Sequence, residues 1–350
     1  ALARGPSLCV SGRGDVSRPF PAAVAPLRRE IRYISKADVC WKTTKVQQSS
    51  RLFGVARPFY SIFLIFLYIR GEMDKKLTLQ VAIPTHAPEG ISRIERVLLP
   101  PREGVGYVVS WQDHRNARIP DAVAARDDVE VLRFDGRGLS ANRNNALEHC
   151  RADIILIGDD DLVYHPDAFD RVRGVFEANP EVDYASFRYD GPDEKPYPGE
   201  AVSLNPVPKG FYQTTFEIAL RRQSKAGNLR FSPLFGPGAP YLTAGEDEFF
   251  LLSAVKAGVS CRFFPLTIAT HPTLTSGSLP KSSEGLLRTT GAVIALRHRL
   301  MWIPRLPVVA LRISRAGNAG FFKALRAMAA GAAYALREVP SDFGAKADGC

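Results

Sequence analysis

Three consecutive aspartates, Asp159, Asp160 and Asp161, follow the apolar run from Ile154 to Ile157, which is typical of a buried strand. Carboxylates do not pack together in a core, because each ion must stay hydrated or meet a cation. Parallel-sheet enzymes bind ligands beyond the carboxyl ends of their strands, where this turn emerges. Clustered carboxylate oxygens suit Mg²⁺ or Mn²⁺, which commonly bind together with phosphates. The acidic turn is therefore predicted to be a cation and phosphate site.

A predicted helix from Ala141 to Cys150 precedes this strand and carries Arg143 in its first turn. Arg143, Ala146, Leu147 and Cys150 share one stripe at helical spacing, which predicts that the arginine lies at the end of the buried face. A cation there opposes the helix dipole, and a bound anion would remove that cost. An arginine that pairs with a neighbouring acid, or extends its charge to solvent, explains the pattern equally well.

A second acidic cluster, Glu246 to Glu248, follows Gly245 and precedes the apolar run from Phe249 to Val255. The pattern predicts a buried helix with three acids in its first turn. The helix dipole favours acids there whatever the function. A chain with two such clusters nevertheless favours a cleft that both share.

Apolar strands and amphipathic helices alternate along the middle of the chain, a pattern typical of βαβ units. The first strand is predicted to end at Pro84 and Thr85. The fold class is therefore predicted to be α/β, with a mainly parallel sheet flanked by helices. Predicted strands cover residues 77–83, 107–110, 129–134, 154–157, 182–187, 211–220 and 261–264, with helices at 91–99 and from Pro166 and a mobile surface loop at 191–210.

The net charge of +10 is carried by the two ends of the chain. Residues 1–72 carry +8 and residues 281–350 carry +7, whereas the middle carries −5. An acidic middle makes a poor groove for a phosphate backbone, so nucleic acid is not expected as a partner. The five cysteines are widely spaced and odd in number, which favours a reducing compartment and argues against a zinc site.

Residues 1–72 show no clear helical or strand period and are predicted to be a poorly structured extension. The apolar run from Phe59 to Ile69 would reach about 17 Å as a helix, against a bilayer core of roughly 30 Å. Met73 directly precedes the first convincing strand. We therefore predict that Met73 is the biological start and that residues 1–72 are translated upstream sequence.

Residues 281–350 are predicted to form a basic, amphipathic helical extension. Its apolar faces, at 286–311 and 321–336, are interspersed with arginines that few acids balance. Helices of this kind lie on anionic membrane surfaces, which predicts peripheral membrane contact through residues 286–337. Packing of solvated helices on their own domain is the alternative.

Together these motifs resemble the family 2 glycosyltransferases of the GT-A fold, a Rossmann-like architecture, over residues 77–272. The resemblance depends on an ordered series: the strand that ends at Ile83-Pro84-Thr85, the helix opening Ser140-x-x-Arg143-Asn144, the aspartate turn followed by Pro166-Asp167, and Gly245-Glu246-Asp247 before an apolar helix. One departure lies after the second strand, where the family has an Asp-x-Gly-Ser-like turn and this chain reads Ser110-Trp111-Gln112-Asp113. A GT-A domain at 73–280 is the domain assignment that follows.

The resemblance implies transfer of a sugar from a nucleotide diphosphate donor to a hydroxyl, with inversion. Asp247 matches the family's general base, and Glu246 would support the acceptor. Asp159 and Asp161 would hold Mn²⁺ or Mg²⁺, and His271 resembles a histidine that closes over the metal, although a lone loop histidine also has a structural explanation. The residues expected to bind the donor are Pro84, Thr85, Asp113, Arg143, Asn144 and Asp160; Pro84 also has a simpler explanation as the end of a strand.

The expected setting is the cytoplasmic face of a bacterial membrane, in the synthesis of a surface polysaccharide or glycolipid on a saccharide or lipid-linked acceptor. A sugar nucleotidyltransferase is one alternative. Such enzymes carry a glycine-rich, basic loop after the first strand, whereas this chain reads Pro84-Thr85-His86-Ala87-Pro88 there. The other alternative is a non-catalytic, membrane-associated module that binds sugar nucleotides.

Overall fold

The computed structural model describes residues 76–192, 195–273, 283–298, 301–340 and 343. The predictions for residues 1–72, including the apolar run 59–69, and for Met73 lie outside these residues. From Lys76 onward the described residues belong to one compact unit.

Nine strands, nine α-helices and two 3-10 helices, Thr215–Glu217 and Lys225–Asn228, are found in the described part of the chain. The strands are β1 Leu79–His86, β2 Val105–Gln112, β3 Val129–Phe134, β4 Ile154–Ile157, β5 Val163–Tyr164, β6 Tyr184–Asp190, β7 Val202–Ser203, β8 Ile218–Arg221 and β9 Cys261–Thr270. The helices are α1 Ala87–Ile91, α2 Ile94–Val97, α3 Asp121–Ala124, α4 Leu139–His149, α5 Ala168–Ala178, α6 Glu246–Lys256, α7 Glu284–His298, α8 Trp302–Arg315 and α9 Phe321–Glu338.

The strands form one sheet in the order β3-β2-β1-β4-β8-β6-β9-β5, and β7 pairs with β9. The long ladders, β1 with β2, β2 with β3 and β6 with β9, are parallel, as is β1 with β4. The antiparallel ladders are short and involve β8 with its two neighbours and β9 with β5 and β7. The mainly parallel α/β sheet that the sequence predicts is confirmed.

The sheet is buried on both faces, which explains why its central strands are continuously apolar. One core cluster joins strand residues such as Ile83 and Trp111 to residues of α1, α2 and α5 such as Phe169. The other joins strand residues such as Ile155 to residues of α4 and α6 such as Ala146 and Phe250. The predicted stripe of Arg143, Ala146, Leu147 and Cys150 is buried, as expected.

Several local predictions need correction. The predicted strand 211–220 is a 3-10 helix, Thr215–Glu217, followed by β8. A capping box between Thr214 and Glu217 forms this turn, and Glu217 is fully buried against Lys195 at 2.8 Å. The predicted helix 91–99 is divided between α1 and α2.

Pro84 does not end the first strand, because β1 continues to His86. The pairing of β1 with β4 ends at Ala82 and Ile157, so the missing N–H of Pro84 lies beyond that ladder. The predicted surface loop 191–210 contains β7 and the fully buried Leu204, so its described residues are part of the packed structure.

Helices α7, α8 and α9 pack together and against the sheet domain. Gly291 in α7 faces the backbone of Met328, and Gly331 in α9 faces the backbone of Arg288, so closely that a Cβ atom at either glycine would collide. A further cluster joins Phe249 of α6 to Ala292 and Ala335. Among the described residues, no helix has the length and apolar character needed to cross a bilayer.

Candidate active site

The acidic turn emerges where the parallel strands end. His86 at the end of β1 is in register with Gln112 at the end of β2, and Gly158 after β4 donates its backbone N–H to Ala82 O at 2.9 Å. This register sets the three aspartates beside the last residues of β1. The topology thus places the turn at the carboxyl edge of the sheet, where ligands of such folds bind.

Arg143 connects the two acidic clusters. Its Nη2 lies 3.3 Å from Asp159 Oδ1, and its Nη1 lies 3.1 Å from Glu246 Oε1. The guanidinium also lies over the ring of Phe231, 5.4 Å from its centroid. Only 5% of the arginine side chain is exposed. The two clusters therefore meet around one buried cation, and the binding of an anion by Arg143 stays a prediction.

Burial and mutual repulsion shape the ionisation of these acids. Burial, followed by the charges of Glu246 and Glu248, raises the pKa of Asp247 to about 8. Burial also raises the pKa of Asp159 to about 6, with Arg143 opposing the shift and Asp161 adding to it. A carboxyl group whose pKa lies near neutrality can both accept and return a proton.

Asp160 is fixed by residues of the first βα segment. Its Oδ2 accepts a hydrogen bond of 2.5 Å from Thr85 Oγ1, and Arg93 Nη2 lies 2.8 Å and 2.9 Å from its two oxygens. A Cβ atom at Gly90 would collide with Thr85 Oγ1 and lie 2.9 Å from Asp160 Oδ2. This packing holds the middle aspartate of the turn in one place.

Asp161 faces His271, with 3.5 Å between Oδ2 and Nε2. The other ring nitrogen, Nδ1, lies 2.6 Å from Thr273 O, which can only accept, so Nδ1 carries a proton. Phe216 stacks on the ring at 5.2 Å and fixes its plane. In the neutral ring, the lone pair of Nε2 therefore faces the Asp161 carboxylate, and the two repel each other. A proton or a metal cation between Nε2 and the carboxylate would turn this repulsion into attraction.

The donor atoms of this pair fit a divalent cation. Metal-binding histidines commonly donate their second ring N–H to a backbone carbonyl, as His271 does to Thr273. The four acids Asp159, Asp160, Asp161 and Glu246 outnumber the two arginines that contact them, Arg93 and Arg143. Within the described residues, however, no group of three or more His, Cys, Asp or Glu side chains is clustered closely enough to hold a metal by itself.

Asn144 holds the backbone of Phe231. Its Nδ2 donates to Phe231 O at 2.8 Å, and its Oδ1 accepts from Phe231 N at 2.8 Å. The amide thus fixes the residue whose ring lies against Arg143, and binding of substrate by Asn144 stays a prediction. Asn142, which the sequence did not single out, donates to Thr85 O at 2.9 Å and ties α4 to the end of β1.

Asp113 follows β2, as predicted, and has a positive φ of 51°. Arg115 Nη2 pairs with its Oδ2 at 2.7 Å, and His86 Nε2 lies 3.8 Å from the same oxygen. The Arg115 hydrogen bond holds the pKa of Asp113 below its usual range. Asp113 thus lies at the ligand-binding edge of the sheet as an ionised, paired carboxylate.

A cavity of about 450 Å³ opens beside Asp247. It lies between the N-terminus of α6 and the face of α7. Glu246, Asp247 and Glu248 form its acidic side, and Thr289, Thr290 and Arg297 contribute from α7. The hydroxyl of Thr289 is buried without a hydrogen-bond partner. Phe211, Leu286 and Val293 add apolar surface, so the cavity offers both polar groups and an apolar wall to a hydroxylated molecule that reaches Asp247.

Sequence reasoning missed Arg93, Asn142 and Phe231, which position the acids and Arg143. Arg93 lies in the segment that follows β1. Segments that follow parallel strands lie at the ligand-binding edge of such sheets, so the position of Arg93 was a usable signal. No local pattern marks Phe231, because its role follows from contact with a helix that begins more than 80 residues earlier.

Residues 112–232 match the model of glycosyl transferase family 2. No curated protein sequence matches the chain. Among solved structures, TarS residues 1–349 from S. aureus is 15% identical, with 63% of this chain and 66% of that one aligned and a TM-score of 0.46. The same TarS fragment with UDP-GlcNAc is 15% identical over 63% and 67% of the two chains (TM-score 0.44), and a longer TarS structure is 14% identical over 67% and 42% (TM-score 0.46).

Proposed function

We propose that the chain moves a sugar from a nucleotide diphosphate donor to a hydroxyl acceptor, with inversion at the anomeric carbon, and the match of residues 112–232 to the glycosyl transferase family 2 model supports this. The observation that supports this most is the Arg143 bridge between Asp159 and Glu246. The bridge places the acidic turn, which suits a diphosphate and its cation, next to the N-terminus of α6, which carries the proposed base Asp247. A transferase needs both in one place.

In this proposal Asp247 is the general base. An acceptor hydroxyl must lose its proton as it attacks, and a carboxylate with a raised pKa is a stronger base than an ordinary one. The hydroxyl would reach Asp247 from the 450 Å³ cavity, with Glu246 next to it as the acceptor's support. Attack from that side, opposite the leaving diphosphate, gives inversion.

Arg143 and Asp159 belong to the leaving-group side. The departing nucleoside diphosphate gains negative charge, and the fixed guanidinium of Arg143 stabilises it. Pro84, Thr85 and Asp113 at the ends of β1 and β2 would border the nucleoside. Asp160, held by Thr85 and Arg93, would keep the turn in place.

Asp161 and His271, with Asp159 nearby in the turn, are the residues that would hold Mn²⁺ or Mg²⁺. When bound, such a cation offsets the charge of the diphosphate. The excess of acids over cations in the site is the reason to expect one, since a diphosphate would otherwise meet net negative charge.

We also place the protein at the inner face of the cell membrane, in surface polysaccharide or glycolipid synthesis. Cys150 and Cys261 are buried free thiols, which fits a reducing compartment. Ile303 and Phe322 expose 60% and 82% of their surface among the arginines of α8 and α9, a combination suited to an anionic bilayer. The fraction of the protein that sediments with anionic vesicles should be smaller for the double variant Ile303→Ser/Phe322→Ser than for the unaltered protein. An unchanged fraction would contradict membrane contact.

The direct test of sugar transfer is a thermal-shift screen of nucleotide sugars with Mn²⁺, followed by an assay of slow donor hydrolysis. A ligand that binds only the folded state raises the melting temperature. A donor that stabilises the protein and is hydrolysed supports the transferase. Binding without hydrolysis or transfer would favour a non-catalytic module.

A further inference from the structure

A second cavity, with a volume of about 800 Å³, adjoins the one beside Asp247. The two cavities have Gly210, Ile294, Arg297 and His298 as common lining residues. We call this second cavity the apolar groove. A molecule whose hydroxyl reaches Asp247 can therefore extend past Arg297 into the groove.

The floor of the groove is largely aliphatic. Leu252 and Val255 come from α6, Ile294 from α7, and Val308 and Val309 from α8. Val308 exposes 51% of its surface, so the apolar surface of the groove is open to solvent at this residue. Such a floor favours a hydrocarbon chain over a sugar, because burial of aliphatic surface needs an apolar ligand.

Cations surround this floor. Lys209, Arg297, Arg305 and Arg312 all line the groove. In the described part of the chain none of the four pairs with a carboxylate; Arg297 and Arg305 donate only to the backbone oxygens of Val207 and Met301. Burial and the charges of Arg305 and Arg297 lower the pKa of His298, in keeping with a positive potential at this point.

We propose that the groove binds the hydrocarbon chain of a glycolipid acceptor whose sugar is joined to the lipid through phosphate, with the phosphate at Arg297. This inference rests on the proposed sugar transfer and names its acceptor class. Beside Asp247 the cavity presents the carboxyl groups of Glu246 to Glu248 and the unpartnered hydroxyl of Thr289, which suit the hydroxyl groups of a sugar better than a phosphate. The anionic linkage must therefore remain at the junction, where Arg297 borders both cavities.

Charge and continuity together select this occupant. A free saccharide would leave the aliphatic floor and the four cations without partners. A flat bilayer surface explains cations and apolar residues on α8, but it does not explain a groove that opens into the cavity of the general base. A phosphate-linked lipid accounts for the acidic cavity, the cationic junction and the apolar groove at once.

Isothermal titration of the full chain with farnesyl phosphate, below its micelle concentration, tests the groove without knowledge of the sugar. We expect farnesyl phosphate to bind about 10-fold more tightly than farnesol or inorganic phosphate, because each of these supplies half of the interaction. Arg297→Gln and, separately, Arg312→Glu should each weaken binding by about 10-fold. Arg315→Glu is the matched control, since it removes a cation from the last turn of the same helix but outside the groove.

Farnesol that binds as tightly as farnesyl phosphate would overturn the proposal, as would equal losses in Arg312→Glu and Arg315→Glu, which would indicate a general attraction to anionic surfaces. Donor hydrolysis by the unaltered protein is measured in parallel. Hydrolysis without farnesyl phosphate binding overturns the groove alone. Selective farnesyl phosphate binding by a protein that neither binds nor hydrolyses any donor overturns the sugar transfer instead.

Discussion

Arg143 and Glu246 are 103 residues apart in the chain, yet their side chains are joined by a hydrogen bond of 3.1 Å between Nη1 and Oε1. The other end of the guanidinium meets Asp159 at 3.3 Å. One buried cation thus holds the acids of the β4 turn and the acids of α6 in a common site.

The Arg143 bridge should contribute to stability as well as to donor binding. Arg143→Gln leaves Asp159 and Glu246 as poorly hydrated, unpaired anions, which should lower the free energy of unfolding by roughly 3 kcal/mol. Adding Glu246→Gln should recover part of that loss, because one of the unpaired charges is removed. Urea denaturation of the two single variants and the double variant measures the coupling; additive effects would mean that the bridge carries no energy.

Asp247→Asn should reduce sugar transfer by about 100-fold or more, while the dissociation constant for the donor stays within about 3-fold. The amide has the shape of the base but cannot accept the hydroxyl proton. Glu248→Gln, which removes the same charge one residue later, is the control and should keep most of the turnover. Equal losses of donor binding and turnover in Asp247→Asn would instead identify Asp247 as a ligand-site or structural residue.

Asp161→Asn and His271→Gln should each remove most of the Mn²⁺ stimulation of donor binding, by about 10-fold or more. Titration calorimetry of the donor with Mn²⁺ and with a chelator gives the comparison. His165→Gln serves as the control, because that histidine pairs with Asp190 at 3.4 Å rather than with an aspartate of the acidic turn. A response to Mn²⁺ that both site variants retain would contradict the assignment.

The reaction should speed up with pH on its acid limb, because only ionised Asp247 accepts a proton. Its raised pKa, about 8, predicts that kcat/KM for the free enzyme still increases between pH 6 and 8. If the increase of kcat/KM with pH were complete by pH 5, the role of Asp247 would be contradicted. The variant Asp247→Glu should still show an increase of kcat/KM with pH, whereas Asp247→Asn should not.

Stability should change with pH in the opposite direction. The pKa values of Asp159 and Asp247 are raised in the folded state, to about 6 and about 8, so the folded protein holds protons that the unfolded chain has released. The stability contributed by these groups is present below about pH 4 and is lost as the pH rises through the folded values. Above pH 6, Asp247→Asn should therefore flatten the decline and raise the urea midpoint.

Gly90→Ala should disturb the acidic turn without altering any charge. The added methyl group would press on Thr85 Oγ1 and Asp160 Oδ2, which should cost about 1–3 kcal/mol and weaken donor binding. Gly174→Ala in α5 is the matched control, because no heavy atom lies within 4 Å of its added Cβ atom. That variant should gain about 0.5–1 kcal/mol; similar effects of both substitutions would show that the contact at Gly90 is not special.

Much of the fold was predictable because its signals are local. β3 and β4 have the predicted bounds, and α6 begins with its three acids as expected. Apolar runs and helical stripes reflect burial of each element against some partner, whichever partner that is. The strand predicted over 211–220 is found only from Ile218 onward, because the alternating pattern gave no sign that Glu217 would be buried with Lys195 in a 3-10 turn.

The sequence by itself determined that two groups of acids and one buried arginine would stand at the ends of their elements, since strand ends and helix N-termini follow from hydrophobic pattern and dipole. Only the tertiary structure decided that Arg143 joins the two groups, that Asn144 holds Phe231, and that the cavity beside Asp247 continues into an apolar groove. Those relationships depend on strand order and on the packing of α7 and α8. Contacts between residues 87 and 103 positions apart leave no periodic trace in the chain.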